Sequence, residues 1–116
     1  MSEVNSKLDE MIQYRDNQKK LLDRRQAVQR LMKNRDFKRI ISEEFMISEA
    51  ARYAHTSGDP KINAEGRADA LAIAQAGGHL QRYLDTILQM GAHAEREMPA
   101  IEEGIDEYRA NPDDDE

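Results

Sequence analysis

One spacing pattern dominates the C-terminal half of the chain. From Ala70 to Tyr108, apolar or small residues recur at intervals that alternate between three and four residues, without a fault, over 39 positions. A heptad repeat of this kind puts all its members on one stripe of an α-helix, where they pack against another helix. It predicts one helix of roughly 58 Å, at a rise of 1.5 Å per residue. We call these positions the seam: Ala70, Ile73, Gly77, Leu80, Leu84, Ile87, Gly91, Ala94, Met98, Ile101, Ile105 and Tyr108.

Three glycines and a proline interrupt the helix propensity of this segment. A glycine inside a helix costs about 1 kcal/mol relative to alanine. Gly77, Gly78 and Gly91 therefore predict places where a partner helix approaches the backbone closely. Pro99 removes a backbone donor and clashes with the preceding turn, so we expect a kink or a break near residues 95–98.

Shorter helices are predicted for the first half of the chain. Apolar residues at helical spacing indicate a first helix from about residue 6 to residue 33, with a polar interval at residues 13–20. Asn34 can cap a second helix and Ser48 a further short one, which Gly58 and the nearby Pro60 would end. The expected fold is all-α: an elongated, coiled-coil-like helical bundle. Its long C-terminal helix is packed by the N-terminal helix and two short helices.

Length and composition predict a single helical domain over residues 1–112 and an acidic disordered tail at residues 113–116. The chain contains no cysteine, so we expect neither disulfides nor thiolate metal sites. It has no apolar run as long as a membrane span and no signal-peptide pattern at its N-terminus. A cytoplasmic location without a membrane partner is therefore expected.

Charge is distributed very unevenly along the chain. Residues 19–39 hold nine basic and two acidic side chains, a net charge of +7, whereas residues 95–116 hold ten acidic and two basic ones, a net charge of −8. The basic patch could contact nucleic-acid phosphates, or it could complement the acidic segment of the same or another copy. We favour the second interpretation, because the C-terminal acidic excess nearly balances the basic excess and no recognisable nucleic-acid motif occurs. The basic patch consists of Lys19, Lys20, Arg24, Arg25, Arg30, Lys33, Arg35, Lys38 and Arg39.

The residues that could carry chemistry lack the necessary spacing. His79 and His93 lie fourteen residues apart on the predicted long helix, roughly 21 Å along its axis, so they cannot share a metal ion. No glutamate precedes a histidine by three residues, as di-metal carboxylate bundles require. Neither a glycine-rich phosphate loop nor a nucleophile-elbow motif occurs. We therefore expect no catalytic residues, no metal and no cofactor.

Two stretches resemble a known class of proteins. One is Lys33-Asn34-Arg35-Asp36-Phe37-Lys38 with the following Glu43-Glu44-Phe45 and the Gly58-Asp59-Pro60 turn. The other is Leu80-Gln81-Arg82-Tyr83-Leu84 with Ile87 and residues 90–95. Together they are similar to small helical proteins encoded among the virion-structure and assembly genes of tailed bacteriophages. The resemblance covers about residues 20–100 and implies a virion component or assembly factor, found in the host cytoplasm or the virion. Pro99 and the acidic tail lie outside it.

The predicted function is a non-enzymatic structural or assembly protein that acts by helix–helix contacts. The seam offers more apolar edge than the shorter helices can cover, so part of it is expected to contact another copy or a virion protein. The ten candidate contact positions run along the seam from Ile73 to Ile105. Two alternatives remain open. One is a small phage-type regulator that binds a host protein, and the other is an accessory protein that binds nucleic acid through residues 19–39.

Overall fold

The computed structural model describes residues 3–112 of the chain, and the side chains of residues 6–112. Its elements in chain order are α1 (Glu3–Lys33), α2 (Arg35–Phe37), a π-helix (Lys38–Glu49), α3 (Ala50–Ser57) and α4 (Ala64–Ala110). No strand occurs within residues 3–112. The predicted all-α class is confirmed, and so are the N-terminal helix and the long C-terminal helix. The expected acidic tail at residues 113–116 lies outside the described residues.

Asn34 separates α1 from the next helix. Its backbone is extended (φ −66°, ψ 128°), and its side-chain oxygen accepts hydrogen bonds from the backbone N–H groups of Asp36 and Phe37, both at 3.0 Å. The first N–H groups of a helix have no partner within the helix, and a capping side chain supplies one. The predicted Asn34 cap is confirmed.

The helical stretch that begins at Arg35 changes its hydrogen-bonding pattern at Lys38. Over Lys38–Glu49 the backbone forms i→i+5 bonds, so each turn holds more residues than the 3.6 of an α-helix. Half-buried side chains recur here at intervals of four or five residues, which the wider turn keeps on one face; examples are Phe37, Ile41, Met46 and Ala50. Ser48 lies inside this continuous stretch. The prediction that Ser48 caps a separate helix is therefore wrong.

A short connection joins α3 to α4. Gly58 follows the end of α3 with φ −99°, so the left-handed conformation that the glycine would permit is not used. The side-chain oxygen of Asn63 then accepts a hydrogen bond from the backbone N–H of Gly66 at 2.7 Å, which caps the start of α4. The predicted helix end near Gly58 is confirmed.

The long helix α4 does not break at Pro99. Its helical conformation runs from Ala64 to Ala110 with Pro99 inside it. Of the two expectations for this position, a kink or a break, the break is wrong. The register of the seam therefore continues on both sides of the proline.

The seam forms the buried face of α4. Every buried residue of α4 is a seam position, and the one other buried residue among the described side chains is Val28 in α1. Leu80, Met98 and Ile101 are half-buried, and Ile73 is the exposed exception at 39%. The heptad pattern thus identified the face of α4 that packs within the chain. The eight buried positions are Ala70, Gly77, Leu84, Ile87, Gly91, Ala94, Ile105 and Tyr108.

The described chain divides into two compact units. The first combines residues 3–27 with residues 87–112, so that most of α1 packs on the last part of α4. The second is Val28–Thr86 and contains the end of α1, the helical stretch Arg35–Ser57 and the first part of α4. A single domain over residues 1–112 stays a prediction.

Candidate interaction surfaces

Two glycines of α4 allow another helix to approach its backbone closely. In the first unit, a Cβ atom added to Gly91 would lie 2.8 Å from the carbonyl oxygen of Leu21 and would overlap Cβ of Arg25. In the second unit, a Cβ on Gly77 would lie 3.1 Å from Cα of Met46 in the π-helix. The predicted packing reason is confirmed at these two positions. Gly78 has no such reason, because an added Cβ would meet nothing within 4 Å.

Charged and polar side chains join α1 to α4 in the first unit. Glu102 forms ion pairs with Arg15 and with Lys19, each at 3.8 Å, and Glu95 forms an ion pair with Arg25. The polar interval at residues 13–20 therefore faces acidic side chains of α4. Because these groups remain partly exposed, each pair contributes only modestly to stability. Two members of the predicted basic patch, Lys19 and Arg25, are thus paired with the acidic segment of the same chain.

Tyr14 lies in the same polar interval of α1, and its hydroxyl donates a hydrogen bond to the carboxylate of Glu97 at 3.0 Å. Glu97 also lies 3.1 Å from Nε2 of His93. The hydrogen bond stabilises the protonated phenol, and desolvation and the negative charge of Glu97 act in the same direction. All three effects raise the pKa of Tyr14 above its ordinary value of 10.0.

The rest of the basic patch in the second unit has few partners. Arg39 pairs with Asp36 at 3.8 Å, but no ion pair to Arg30, Lys33, Arg35 or Lys38 forms among residues 3–112. All five basic side chains are exposed. We call this set, Arg30, Lys33, Arg35, Lys38 and Arg39, the basic surface.

Two shallow depressions lie on this basic surface and share Arg35 and Arg39. One has a volume of about 310 Å³ and is also lined by Asn34 and Asp36. The other, of about 370 Å³, is completed by Lys33, Lys38 and Glu43. Their linings present guanidinium and ammonium groups to solvent, so the chemistry they favour is the binding of anionic groups.

The core of the second unit is thin. None of α2, the π-helix and α3 contains a buried residue. Large apolar side chains of this unit are exposed instead, most of all Ile47 at 66%. The others are Leu31, Ile40, Leu71, Ile73 and Tyr83. In the first unit, by contrast, Tyr14 and Met90 are the large apolar residues that are exposed among the described side chains.

The seam and the exposed apolar residues therefore differ in position. Apart from Ile73, the seam positions are buried or half-buried by the chain's own helices. Ile40 and Ile47, which the sequence analysis did not single out, present apolar surface to solvent. The sequence did not reveal their exposure, because exposure depends on which other helices cover a position.

Residues 3–112 contain neither a cluster of metal ligands nor a helix able to span a membrane. No group of three or more His, Asp or Glu side chains lies close enough to hold a metal ion within residues 3–112. A cavity of about 350 Å³ in the first unit is lined mostly by apolar side chains, including Met11, Ile101 and Ile105. Among the same residues, no helix combines the length and the apolar character that a membrane span needs.

Comparison with known proteins assigns no family. No protein-family model matches the chain, and no curated protein or solved structure is significantly similar to it. The resemblance to virion proteins of tailed bacteriophages rests on the residues quoted above and stays a prediction.

Proposed function

We propose that the protein is a non-enzymatic structural or assembly protein that acts through helix–helix contacts. The contact surface is the apolar side of the helical stretch Arg35–Ser57. One observation carries this proposal: no side chain of that stretch is buried, although it contains Ile40, Ile41, Phe45 and Ile47.

Such a stretch gains little stability within its own unit. Helices in proteins are stabilised mainly by packing of an apolar face, and short helices are marginal in water without it. Full burial of one isoleucine side chain contributes about 1.5–3 kcal/mol. A partner that covers Ile40 or Ile47 would therefore supply what the unit lacks, and exposed apolar surface is typical of interaction sites.

The resemblance described above supports a more specific role. Small helical proteins of tailed bacteriophages act as virion components or assembly factors, and we propose the same for this chain, in the host cytoplasm or the virion. The close helix packing at Gly91 in the first unit and at Gly77 in the second supports closely packed helical units, each of which can present its remaining apolar surface to a partner.

Amide hydrogen exchange tests whether the stretch is incomplete alone. In dilute protein, we expect the amides of Arg35–Ser57 to exchange at least about a hundredfold faster than those of residues 8–27 in α1. Their protection should rise when the protein associates. Equal protection of the two segments in dilute, monomeric protein would contradict the proposal.

A pair of matched variants tests the contact itself. The change Ile40→Ser with Ile47→Ser should weaken association by about tenfold or more, because each isoleucine loses burial in the complex. The control, Ala51→Ser with Ala54→Ser, alters two exposed small residues of the same stretch and should change association little. Sedimentation equilibrium measures both. If the isoleucine variant and the control associate equally, this stretch is not the contact surface.

A further inference from the structure

The basic surface carries a local excess of positive charge. Residues 28–39 contain five basic side chains and one acidic side chain, Asp36, a net charge of +4. Asp36 is already paired with Arg39. The remaining cationic groups face solvent, at the start of the helical stretch Arg35–Ser57.

The end of α4 carries the opposite excess. Glu95, Glu97 and Glu102 contact α1, but no ion pair to Glu103, Asp106 or Glu107 forms among residues 3–112, and all three are exposed. Residues 103–116 contain seven acidic side chains and one basic side chain, a net charge of −6. We call Glu103, Asp106 and Glu107 the acidic surface.

The two surfaces match in spacing as well as in sign. Arg35, Lys38 and Arg39 are separated by three residues and one residue, and so are Glu103, Asp106 and Glu107. Residues at i, i+3 and i+4 of a helix lie on one side within about one turn. Each set therefore presents three like charges along a short length of helix.

We infer that the basic surface of one copy binds the acidic surface of a second copy. This inference rests on the proposed function, to which it adds a partner and a register. The two surfaces are different parts of the chain, so copies join either reciprocally in a two-fold dimer or head to tail in a ring or filament. The electrostatic contact selects the partner and aligns it, while the apolar side chains of Arg35–Ser57 supply affinity.

A second copy fits the basic surface better than nucleic acid does. Phe37 is the one aromatic residue between these cationic side chains, and it is half-buried, so it offers little ring surface for base stacking. The acidic surface of a second copy, in contrast, provides carboxylates at the matching spacing.

Two charge-reversed variants test the inference. The first replaces Arg35, Lys38 and Arg39 with Glu, and the second replaces Glu103, Asp106 and Glu107 with Lys. The matched control, Asp9→Lys with Lys20→Glu, reverses two exposed charges of α1 outside both surfaces. Circular dichroism verifies that all variants remain helical, and sedimentation velocity measures association at about 50 mM and about 500 mM salt, where screening differs strongly.

The expected result has three parts. Wild type and control associate at least about tenfold more tightly at the lower salt concentration. Each charge-reversed variant alone loses this salt-dependent association. An equimolar mixture of the two variants regains it, because the native acidic surface of the first variant can bind the native basic surface of the second, and the two reversed surfaces are complementary as well.

Three results would overturn the inference: self-association of each reversed variant as tight as that of wild type, a wild type that stays monomeric at low salt, or no recovery in the mixture. Sub-micromolar binding of duplex DNA or RNA that is lost in the Arg35, Lys38 and Arg39 variant would also overturn it, and would assign the basic surface to nucleic acid. The proposed function fails on a different result, namely equal association of the Ile40 and Ile47 variant and its alanine control.

Discussion

Replacing Gly91 with alanine adds one methyl group at a point where α1 packs closely on α4. The new Cβ would lie 2.8 Å from the Leu21 carbonyl oxygen and would overlap Cβ of Arg25. Neither atom can rotate away, so α1 must shift. Overpacking of this kind costs about 1–3 kcal/mol, and the rigid neighbours place Gly91→Ala at the upper end of that range. Alanine regains about 1 kcal/mol of helix propensity, which leaves a net destabilisation of about 2 kcal/mol.

Gly78 and Gly77 provide matched controls on the same helix. At Gly78 the added methyl group meets nothing within 4 Å, so Gly78→Ala should stabilise the protein by about 1 kcal/mol through propensity alone. At Gly77 the new Cβ would lie 3.1 Å from Cα of Met46, a tight contact that a small shift relieves. We expect Gly77→Ala to lie between the other two, near neutral.

Urea unfolding followed by circular dichroism measures the series. Linear extrapolation gives the free energy of unfolding for each variant, and an unchanged slope shows that the unfolded state is the same. The order of stability should be Gly78→Ala, then wild type and Gly77→Ala, then Gly91→Ala. If Gly91→Ala is as stable as Gly78→Ala, the two helices do not approach as closely as the structure places them.

Three further predictions concern the seam, a helix cap and a tyrosine. Leu84→Asp should destabilise the protein by about 4 kcal/mol or more, because Leu84 is only 5% exposed and the new carboxylate would have no partner. Thermal melts test this, and Leu71→Asp, at an exposed position, is the control. Asn34→Ala should cost about 1 kcal/mol in urea unfolding by removing two capping bonds, whereas equal stability would show that the cap is dispensable. The pKa of Tyr14 is raised in the folded state, so its protonated phenol should stabilise the fold below pH 10. This stabilisation should be lost as pH rises through the folded-state pKa. An absorbance titration, with the Tyr14→Phe variant as reference, measures the pKa of Tyr14. In the Glu97→Gln variant this pKa should return toward 10.0, and an unchanged pKa would exclude the hydrogen bond.

The long helix was predictable because its information is local. The alternation of three and four residues from Ala70 to Tyr108 defines a stripe whatever the partner is, and the buried positions of α4 all fall on it. Ile73 departs from the pattern, since exposure depends on what covers a position and not on its spacing. The Asn34 cap was predictable for the same local reason, because its bonds reach only two and three residues ahead.

Features that depend on tertiary packing were not predictable from spacing. The polar interval at residues 13–20 carries no apolar stripe that would predict a partner, but Tyr14, Arg15 and Lys19 contact glutamates more than eighty residues later in the chain. The π-helix over Lys38–Glu49 was missed because α- and π-helices use the same residue types and differ in hydrogen-bonding register. The basic patch was recognised as one block, but its members lie in two units and have different partners.

The π-helix has a consequence for how the length of this chain can change. A π-helix accommodates extra residues in each turn, so the loss of a residue between Phe37 and Ala50 can convert part of it to α-helical register. Such a deletion removes neither the Asn34 cap nor the packing of α4, and the helical segments on both sides keep their faces. We therefore expect the loss of a single residue within this helix to be tolerated, whereas in an ordinary α-helix it would rotate all later side chains by about 100°.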